Sequence, residues 1–167
     1  MKLVLRNTTI LALIASLFFI GCKSSKETQA VPARKEIKGT WVLNNITVTG
    51  ITDNAKYNFN LLDEGSIDCL KGSTWKFPNN AFGSYEITAT GTGCKAGNTD
   101  IVWSYRKEGS DVFFLYKKLT EGVKAKNITD GYKFKIVDVY NDAMLLQSEA
   151  VSAGQVLTFN YSFTKIK

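Results

Sequence analysis

The stretch EIKGTWVLNNITV, residues 36–48, places Gly39 and Trp41 at the start of an alternating run of apolar and polar side chains. This period of two is typical of a β-strand with one buried face. On its own such a strand fits any sheet, and Trp41 fits the role of an ordinary core aromatic. The segments that follow therefore decide the fold.

Nearly all of the chain after Lys38 repeats this period of two, with turn-forming residues between the segments. We predict eight strands, Thr40–Val48, Ser73–Phe77, Gly83–Ala89, Ile101–Lys107, Val112–Leu119, Tyr132–Val139, Ala143–Ala150 and Val156–Lys165. Thr52–Gly72 interrupts the series, and its run NLLDEGSIDCL is compatible with a short helix. A sheet of this size has to close or fold over itself, because open edges expose unpaired backbone groups.

The predicted strands have one apolar face and one polar face. In the last strand Leu157, Phe159, Tyr161 and Phe163 alternate with threonine, asparagine and serine. The fifth strand, DVFFLYKKL, is apolar on both faces, so alternation leaves its inward side open. The pattern as a whole indicates an apolar inside and a solvated outside.

Residues 1–21 have the features of a secretory signal peptide. Lys2 and Arg6 form a basic start, and Ile10–Ile20 is an apolar run too short for a transmembrane helix. The ending FFIGC resembles the lipobox of bacterial lipoproteins, in which Cys22 would receive the lipid. A plain signal peptide with an incidental cysteine is the alternative. With the lipid we expect anchoring in the cell envelope, at the outer membrane, on a side that stays open.

Residues 22–36 have no aromatic and almost no large apolar side chain. Such a segment cannot bury enough surface to offset the entropy of ordering it, so we expect a flexible tether after the lipidated cysteine. Residues 37–167, roughly 130 in number, suit one domain of ordinary size.

The other two cysteines, Cys69 and Cys94, lie in the predicted domain. In a secretory compartment they can form a disulfide, and two buried free thiols are the alternative. We expect no metal site, because the chain has no histidine and no CxxC pair, and we expect no cofactor.

The chain is basic, with 21 lysines and arginines against 15 acidic residues. Proteins that bind nucleic acid usually cluster their basic residues and use arginine for bidentate contacts. Here the lysines are scattered along alternating strands, and Arg34 and Arg106 are the arginines after the signal peptide. The charge therefore indicates a solvated outer face, and nucleic acid is not an expected partner.

Five motifs, in this order, resemble the lipocalin superfamily and more closely the lipocalin-like lipoproteins of Bacteroidetes. KGTW ends at Trp41, CLKGSTW spans Cys69–Trp75, DIVWS spans Asp100–Ser104, KAKNITDGYKFKIV spans Lys124–Val137, and FNYSF closes the series. The resemblance covers residues 37–167. It implies an all-β fold, an eight-stranded antiparallel up-and-down β-barrel with one short helix in the first long loop.

The resemblance also implies how one end of the barrel is closed. In lipocalins the tryptophan of the first strand packs across this end, and a basic residue of the last strand lies over it. The corresponding residues here are Gly39, Trp41 and Lys165. Because lysine lacks the planar stacking surface of arginine, this contact is where the chain departs from the family pattern.

The inward aromatic side chains either line a pocket or fill the barrel, since eight strands leave an interior just wide enough for either. If a cavity remains, its walls suit a small apolar or amphipathic ligand. The candidate wall residues are Trp75, Tyr85, Trp103, Tyr105, Tyr132, Phe134, Phe159 and Tyr161.

Asp63, Glu64 and Asp68 form an acidic cluster beside Cys69. It could cap a helix, bind a cation or form a solvated loop, and we expect the solvated loop. Catalysis finds little support, because a chain without histidine has no conventional Ser-His or Cys-His pair. We expect no catalytic residues and no enzyme.

These observations lead to two hypotheses about function. The first is a membrane-anchored, non-catalytic, lipocalin-like lipoprotein that binds or carries a small hydrophobic ligand. The alternative is a protein–protein interaction module with a filled barrel, such as an envelope inhibitor or an accessory subunit.

Overall fold

The computed structural model describes residues 31–51, 59–152 and 154–167. The predicted signal peptide, Cys22 and residues 22–30 of the predicted tether lie outside this part of the chain. The tether was expected to reach residue 36, but Arg34–Ile37 form a helical turn, α1. The difference has a physical reason. Ile37 buries its apolar side chain, and this burial offsets the entropy cost of ordering the segment.

Eight antiparallel strands form a closed barrel in which each strand pairs with the next and the last pairs with the first. They are β1 (Gly39–Thr49), β2 (Thr74–Phe77), β3 (Phe82–Ile87), β4 (Gly97–Glu108), β5 (Asp111–Lys118), β6 (Tyr132–Tyr140), β7 (Ala143–Ser152) and β8 (Gln155–Lys165). This confirms the predicted fold class. The main difference is in β4, which begins at Gly97 rather than at Ile101.

In the described part of the chain, two short helical segments occur in addition to α1. The loop between β1 and β2 contains α2 (Ile67–Leu70), which confirms the short helix predicted there, and a single 3-10 turn spans Ala125–Asn127. Within the described residues, no helix has the length and apolar character needed to span a membrane.

The barrel closes along the ladder between β1 and β8, where Trp41 lies opposite Lys165 and Val48 opposite Phe159. A β-bulge interrupts this ladder between Leu43 and Asn45. Because a bulge inserts one extra residue, it reverses which positions face inward. Trp41 and Leu43 are buried before the bulge and Ile46 is buried after it, so the strand keeps its apolar face inside over its whole length.

The two ends of the barrel differ in the length of their connections. The floor is the end where β1 begins and where the short β2–β3, β4–β5 and β6–β7 turns lie. The mouth is the opposite end, which carries the long β1–β2, β3–β4 and β5–β6 loops. Helix α1 belongs to the floor, since it leads directly into β1.

A disulfide between Cys69 and Cys94 joins α2 to the β3–β4 loop at the mouth, with an S–S distance of 2.01 Å. This confirms the predicted pairing. A link between residues separated by 25 positions stabilises a domain by about 3–4 kcal/mol, chiefly by limiting the unfolded chain.

Gly39 and Gly97 allow a matched test of how tightly the floor is packed. Both have a positive φ, +144° and +131°, but a Cβ at Gly39 would overlap the Lys167 carbonyl oxygen, whereas none of the described atoms lies within 4 Å of a Cβ at Gly97. We expect Gly97→Ala to lower the free energy of unfolding by about 1–2 kcal/mol through backbone strain. Gly39→Ala should cost about 1–3 kcal/mol more, because overpacking adds to the strain.

Urea unfolding of the two variants beside the parent chain measures this difference. Equal losses at the two positions would contradict the close approach of the C-terminal residue to β1.

Candidate functional site

The barrel interior is almost filled by side chains. It encloses a void of about 10 Å³. The residues around it are Leu62, Trp75, Phe77, Phe114, Tyr116, Phe134, Leu146, Tyr161 and Phe163. A void of this size is about what one water molecule needs, and a water is held only where several polar partners surround it. The surface that faces the void is apolar, so the void is a poor site for water.

Aromatic rings in mutual contact fill the space around the void. Trp75 stacks on Tyr85 with ring centroids 4.4 Å apart, and it meets Tyr116 and Phe163 edge-on at 5.6 and 5.9 Å. Tyr116 in turn stacks on Tyr132 at 4.8 Å. Offset-stacked and edge-to-face pairs at these distances are the favoured geometries, so the rings form a packed core.

Trp75, Phe134 and Tyr161 are the predicted wall residues that border the void. Tyr85 and Tyr132 instead reach toward the mouth, where both hydroxyls donate to acidic side chains. Of these five residues, three therefore border the void and two bond to the polar groups above it.

The remaining predicted wall residues lie away from the void. Phe159 meets Phe59 edge-on, with ring centroids 5.0 Å apart. Trp103 packs toward the floor, where the Arg34 guanidinium lies 4.3 Å from its ring centroid. Tyr105 is partly exposed and packs against the edge of the core.

Tyr116 borders the void but was absent from the predicted wall, because its strand is apolar on both faces. A signal for it was nevertheless present in the β4–β5 connection. The two-residue turn Gly109-Ser110 pairs Glu108 with Asp111 and therefore Trp103 with Tyr116. Directly opposed residues of an antiparallel pair share a face, so an inward Trp103 implies an inward Tyr116.

The Tyr116 hydroxyl has no hydrogen-bond partner among the described residues, although the side chain is only 1% exposed. Burial raises the pKa of this hydroxyl well above its ordinary value. A buried hydroxyl without a partner costs about 1–3 kcal/mol relative to a satisfied one. The core beside the void therefore contains a hydroxyl group without a hydrogen-bond partner among the described residues.

Residues 61–65, which we call the plug, close the mouth above the void. Leu62 borders the void, and the Leu61 amide donates to the Gly65 carbonyl at 2.7 Å. Leu62 and Asp63 have φ values of 55° and 57°, in the left-handed region that costs a residue other than glycine about 1–3 kcal/mol. Surrounding contacts must therefore hold the plug in place.

Glu64, Tyr85 and Lys118 form the main contact, which we call the latch. Glu64 is only 5% exposed, accepts a hydrogen bond of 2.5 Å from the Tyr85 hydroxyl and pairs with the Lys118 ammonium. The same ammonium donates to the Leu62 carbonyl at 2.5 Å, and Tyr132 donates to Asp63 at 2.6 Å. The expectation of a solvated acidic loop is wrong for Glu64, because its carboxylate is buried against the Tyr85 hydroxyl of β3 and the partly buried Lys118 ammonium of β5.

Burial and the acidic side chains of the plug raise the pKa of the two tyrosines that bond to these side chains. Burial and the hydrogen bond to Glu64 raise the pKa of Tyr85 above its ordinary value of 10.0. Burial and the hydrogen bond to Asp63 have the same effect on the pKa of Tyr132. Both phenols stay neutral and act as donors.

The floor brings together the three residues that the family resemblance suggested. Trp41 is fully buried, and its indole donates to the Ile37 carbonyl at 2.8 Å. The Lys165 ammonium lies 4.9 Å from the Trp41 ring centroid and donates to the Glu36 carbonyl at 3.1 Å. Gly39 passes directly under the Lys165 side chain, where a Cβ would come within 2.5 Å of Cε. Lysine thus lies where the family pattern has arginine.

No group of three or more Cys, Asp or Glu side chains in the described part of the chain is arranged to hold a metal ion. The site therefore offers apolar surface, one unpartnered hydroxyl and a loop plug fixed by a partly buried ion pair. In this conformation the void is too small for a typical small-molecule ligand, so a ligand has to displace side chains in order to bind there.

The latch can be tested by a double-mutant cycle. We expect Lys118→Met to lower the free energy of unfolding by about 2 kcal/mol, because the Glu64 carboxylate stays buried without its cation. This is less than for a fully buried pair, since Lys118 is 26% exposed. Adding Glu64→Gln should restore part of the loss, and Lys133→Met, which removes an exposed partner of Glu108, is the matched control with little effect. If the effects of Lys118→Met and Glu64→Gln on the free energy of unfolding are strictly additive, the result contradicts an interaction between the two side chains.

Stability should also fall in alkali. Burial raises the pKa of Tyr85, Tyr116, Tyr132 and Tyr161 above 10.0. Above about pH 10 the unfolded chain loses phenol protons that the folded chain keeps, so the contribution is complete below pH 10 and is lost as the pH rises.

For a fully buried tyrosine such as Tyr116 the slope approaches about 1.4 kcal/mol per pH unit. Urea unfolding between pH 9 and 12 measures the decline, which should be shallower in Tyr116→Phe. A flat profile over this range would contradict neutral buried phenols.

No protein-family model matches this chain, and no curated protein sequence matches it. Among solved structures, it is similar to bovine odorant binding protein in complex with a selenium-containing odorant. The sequences are 14% identical, the match covers 86% of this chain and 78% of that chain, and the TM-score is 0.40.

Proposed function

We propose that this chain is a non-catalytic, lipocalin-like protein that binds a small hydrophobic ligand inside its barrel. The observation that carries the proposal is the Tyr116 hydroxyl, which is buried beside the void without a partner among the described residues. Leaving such a group unsatisfied costs stability, and a bound ligand with one polar atom would supply its partner. The aromatic walls favour a flat, mainly apolar ligand.

Ligand entry requires the plug to move. A void of about 10 Å³ is far smaller than the roughly 300–1,000 Å³ of typical small-molecule sites. Leu62 belongs to a loop with strained backbone, whereas the other residues around the void belong to the sheet. Displacing Leu62 therefore disturbs no strand pairing, and the mouth is the route of entry.

The same proposal includes attachment to a membrane. The lipobox-like FFIGC motif makes Cys22 the site of lipid attachment in the cell envelope, at the outer membrane. Mass spectrometry of the N-terminal peptide of the mature chain tests this part independently of ligand binding, since a chain that begins elsewhere or carries no lipid would refute it.

Phenol and toluene, which differ by one hydroxyl, test the interior site. We expect phenol to bind more tightly than toluene, and Leu62→Ala to tighten the binding of both by enlarging the void. Tyr116→Phe should abolish the preference for phenol, a loss of about fivefold, since a hydrogen bond contributes about 1 kcal/mol. Titration calorimetry measures these affinities.

Tyr140→Phe is the matched control, because it removes the hydroxyl of an exposed tyrosine at the floor and should leave the preference unchanged. Absence of binding to both the parent chain and Leu62→Ala would overturn the proposal. The filled barrel would then be the scaffold of a protein–protein interaction module.

A further inference from the structure

The described chain begins at the floor of the barrel. Pro32 and Ile37 are buried there, and Arg34 of α1 reaches the β2–β3 turn, where its Nε donates to the Asn79 carbonyl at 3.2 Å. The segment leading back to Cys22 therefore leaves from the floor. A lipid on Cys22 would hold this end, and not the mouth, nearest to the membrane.

Several large apolar side chains at the floor are in contact with solvent, and the most exposed of those described are Phe82, Tyr140 and Ile166. Phe82 at the start of β3 is 56% exposed, Tyr140 at the end of β6 is 70% exposed, and Ile166 after β8 is 55% exposed. They belong to separate turns and termini of the same end, so they surround the floor. Aromatic and aliphatic side chains in this setting are suited to the interface between lipid headgroups and acyl chains.

The exposed charge around these side chains is mainly positive. Lys35, Lys38, Lys76 and Lys167 are exposed at the floor, where Glu36, Asp138 and Asp142 are among the exposed acidic side chains nearest to them and to Tyr140. Farther along the β4–β5 hairpin, Arg106 pairs with Glu108. A lysine close to an anionic membrane strengthens binding by about fivefold.

The mouth has the opposite balance. It also exposes apolar side chains, among them Val123, Val151 and Val156. The exposed acidic residues around them are Asp63, Asp68, Glu121, Asp130 and Glu149, against Lys71, Lys95, Lys124 and Lys126. An anionic surface therefore attracts the floor more strongly than the mouth.

We propose that the floor is a docking surface for an anionic lipid bilayer, with Phe82, Tyr140 and Ile166 inserted at the interface and the surrounding lysines against the headgroups. Docking in this orientation directs the mouth and the plug toward the aqueous phase. The orientation rests in part on the proposed lipidation of Cys22, whereas the lysine-dependent binding does not.

The test places one environment-sensitive dye on the mature chain, at Tyr140→Cys or at Val151→Cys, in vesicles of phosphatidylcholine with or without phosphatidylglycerol. We expect the dye at position 140 to be shielded from aqueous iodide in anionic vesicles and the dye at position 151 to stay accessible. In Lys35→Gln/Lys38→Gln/Lys167→Gln the docked fraction should fall, with a loss of about fivefold in partitioning per lysine. The matched control at the mouth, Lys95→Gln/Lys124→Gln/Lys126→Gln, should change partitioning less than about twofold.

Equal accessibility of the two dyes, or shielding of position 151, would overturn the docking orientation. Crosslinking from position 140 to a stoichiometric protein instead of lipid would also overturn it. Failure of lipidation is a separate outcome, seen as loss of flotation with neutral vesicles. Flotation with anionic vesicles that depends on the floor lysines would then still support docking.

Discussion

The structure depends on one ladder, the pairing of β1 with β8, because this ladder turns an open meander into a closed barrel. Closure removes the two sheet edges that would otherwise expose unpaired backbone groups. It also fixes the interior at the width of eight strands, which side chains can just fill. The bulge after Leu43 follows from the same requirement, since without it the upper part of β1 would direct its polar residues inward.

Because aromatic rings fill the interior, apolar and polar groups meet at the mouth of the barrel. The plug has to bring its backbone and two acidic side chains over an aromatic core, and a buried carboxylate is costly without partners. Tyr85 and Lys118 supply these partners from the rims of β3 and β5. The disulfide also supports the plug, because it lies close to Gly65. A Cβ at Gly65 would come within 2.7 Å of the Cys69 sulfur. The floor, in contrast, is closed by the chain's own first helical turn and by Trp41.

The sequence was most informative where alternation was regular. Every predicted strand exists, and Leu157, Phe159, Tyr161 and Phe163 all face inward as expected, because a period of two maps directly onto the two faces of a sheet. Alternation did not identify Tyr116 as an inward residue, because its strand is apolar on both faces. The tight turn before the strand nevertheless fixes the register that pairs Tyr116 with Trp103.

The burial of Glu64 had no local signal. Its partners, Tyr85 and Lys118, are 21 and 54 residues away, and they come together only in the folded sheet, where β3 and β5 flank β4. Alternation shows which rings face inward, but it does not show how far each ring lies from the floor or the mouth. It therefore could not distinguish Trp75, which borders the void, from Trp103, which lies near the floor.

The closing ladder also determines the order of events when the chain is made. Asn44 of β1 bonds to Thr164 of β8, 120 residues later, so the barrel cannot close until β8 has been synthesised. The hairpins from β2 to β7 and the link between Cys69 and Cys94 involve shorter separations and can form earlier, since loop-closure entropy rises with length. Until β8 emerges, β1 has one free edge and the aromatic interior is open on that side. The newly made chain is thus most vulnerable to misassociation just before its last strand is released.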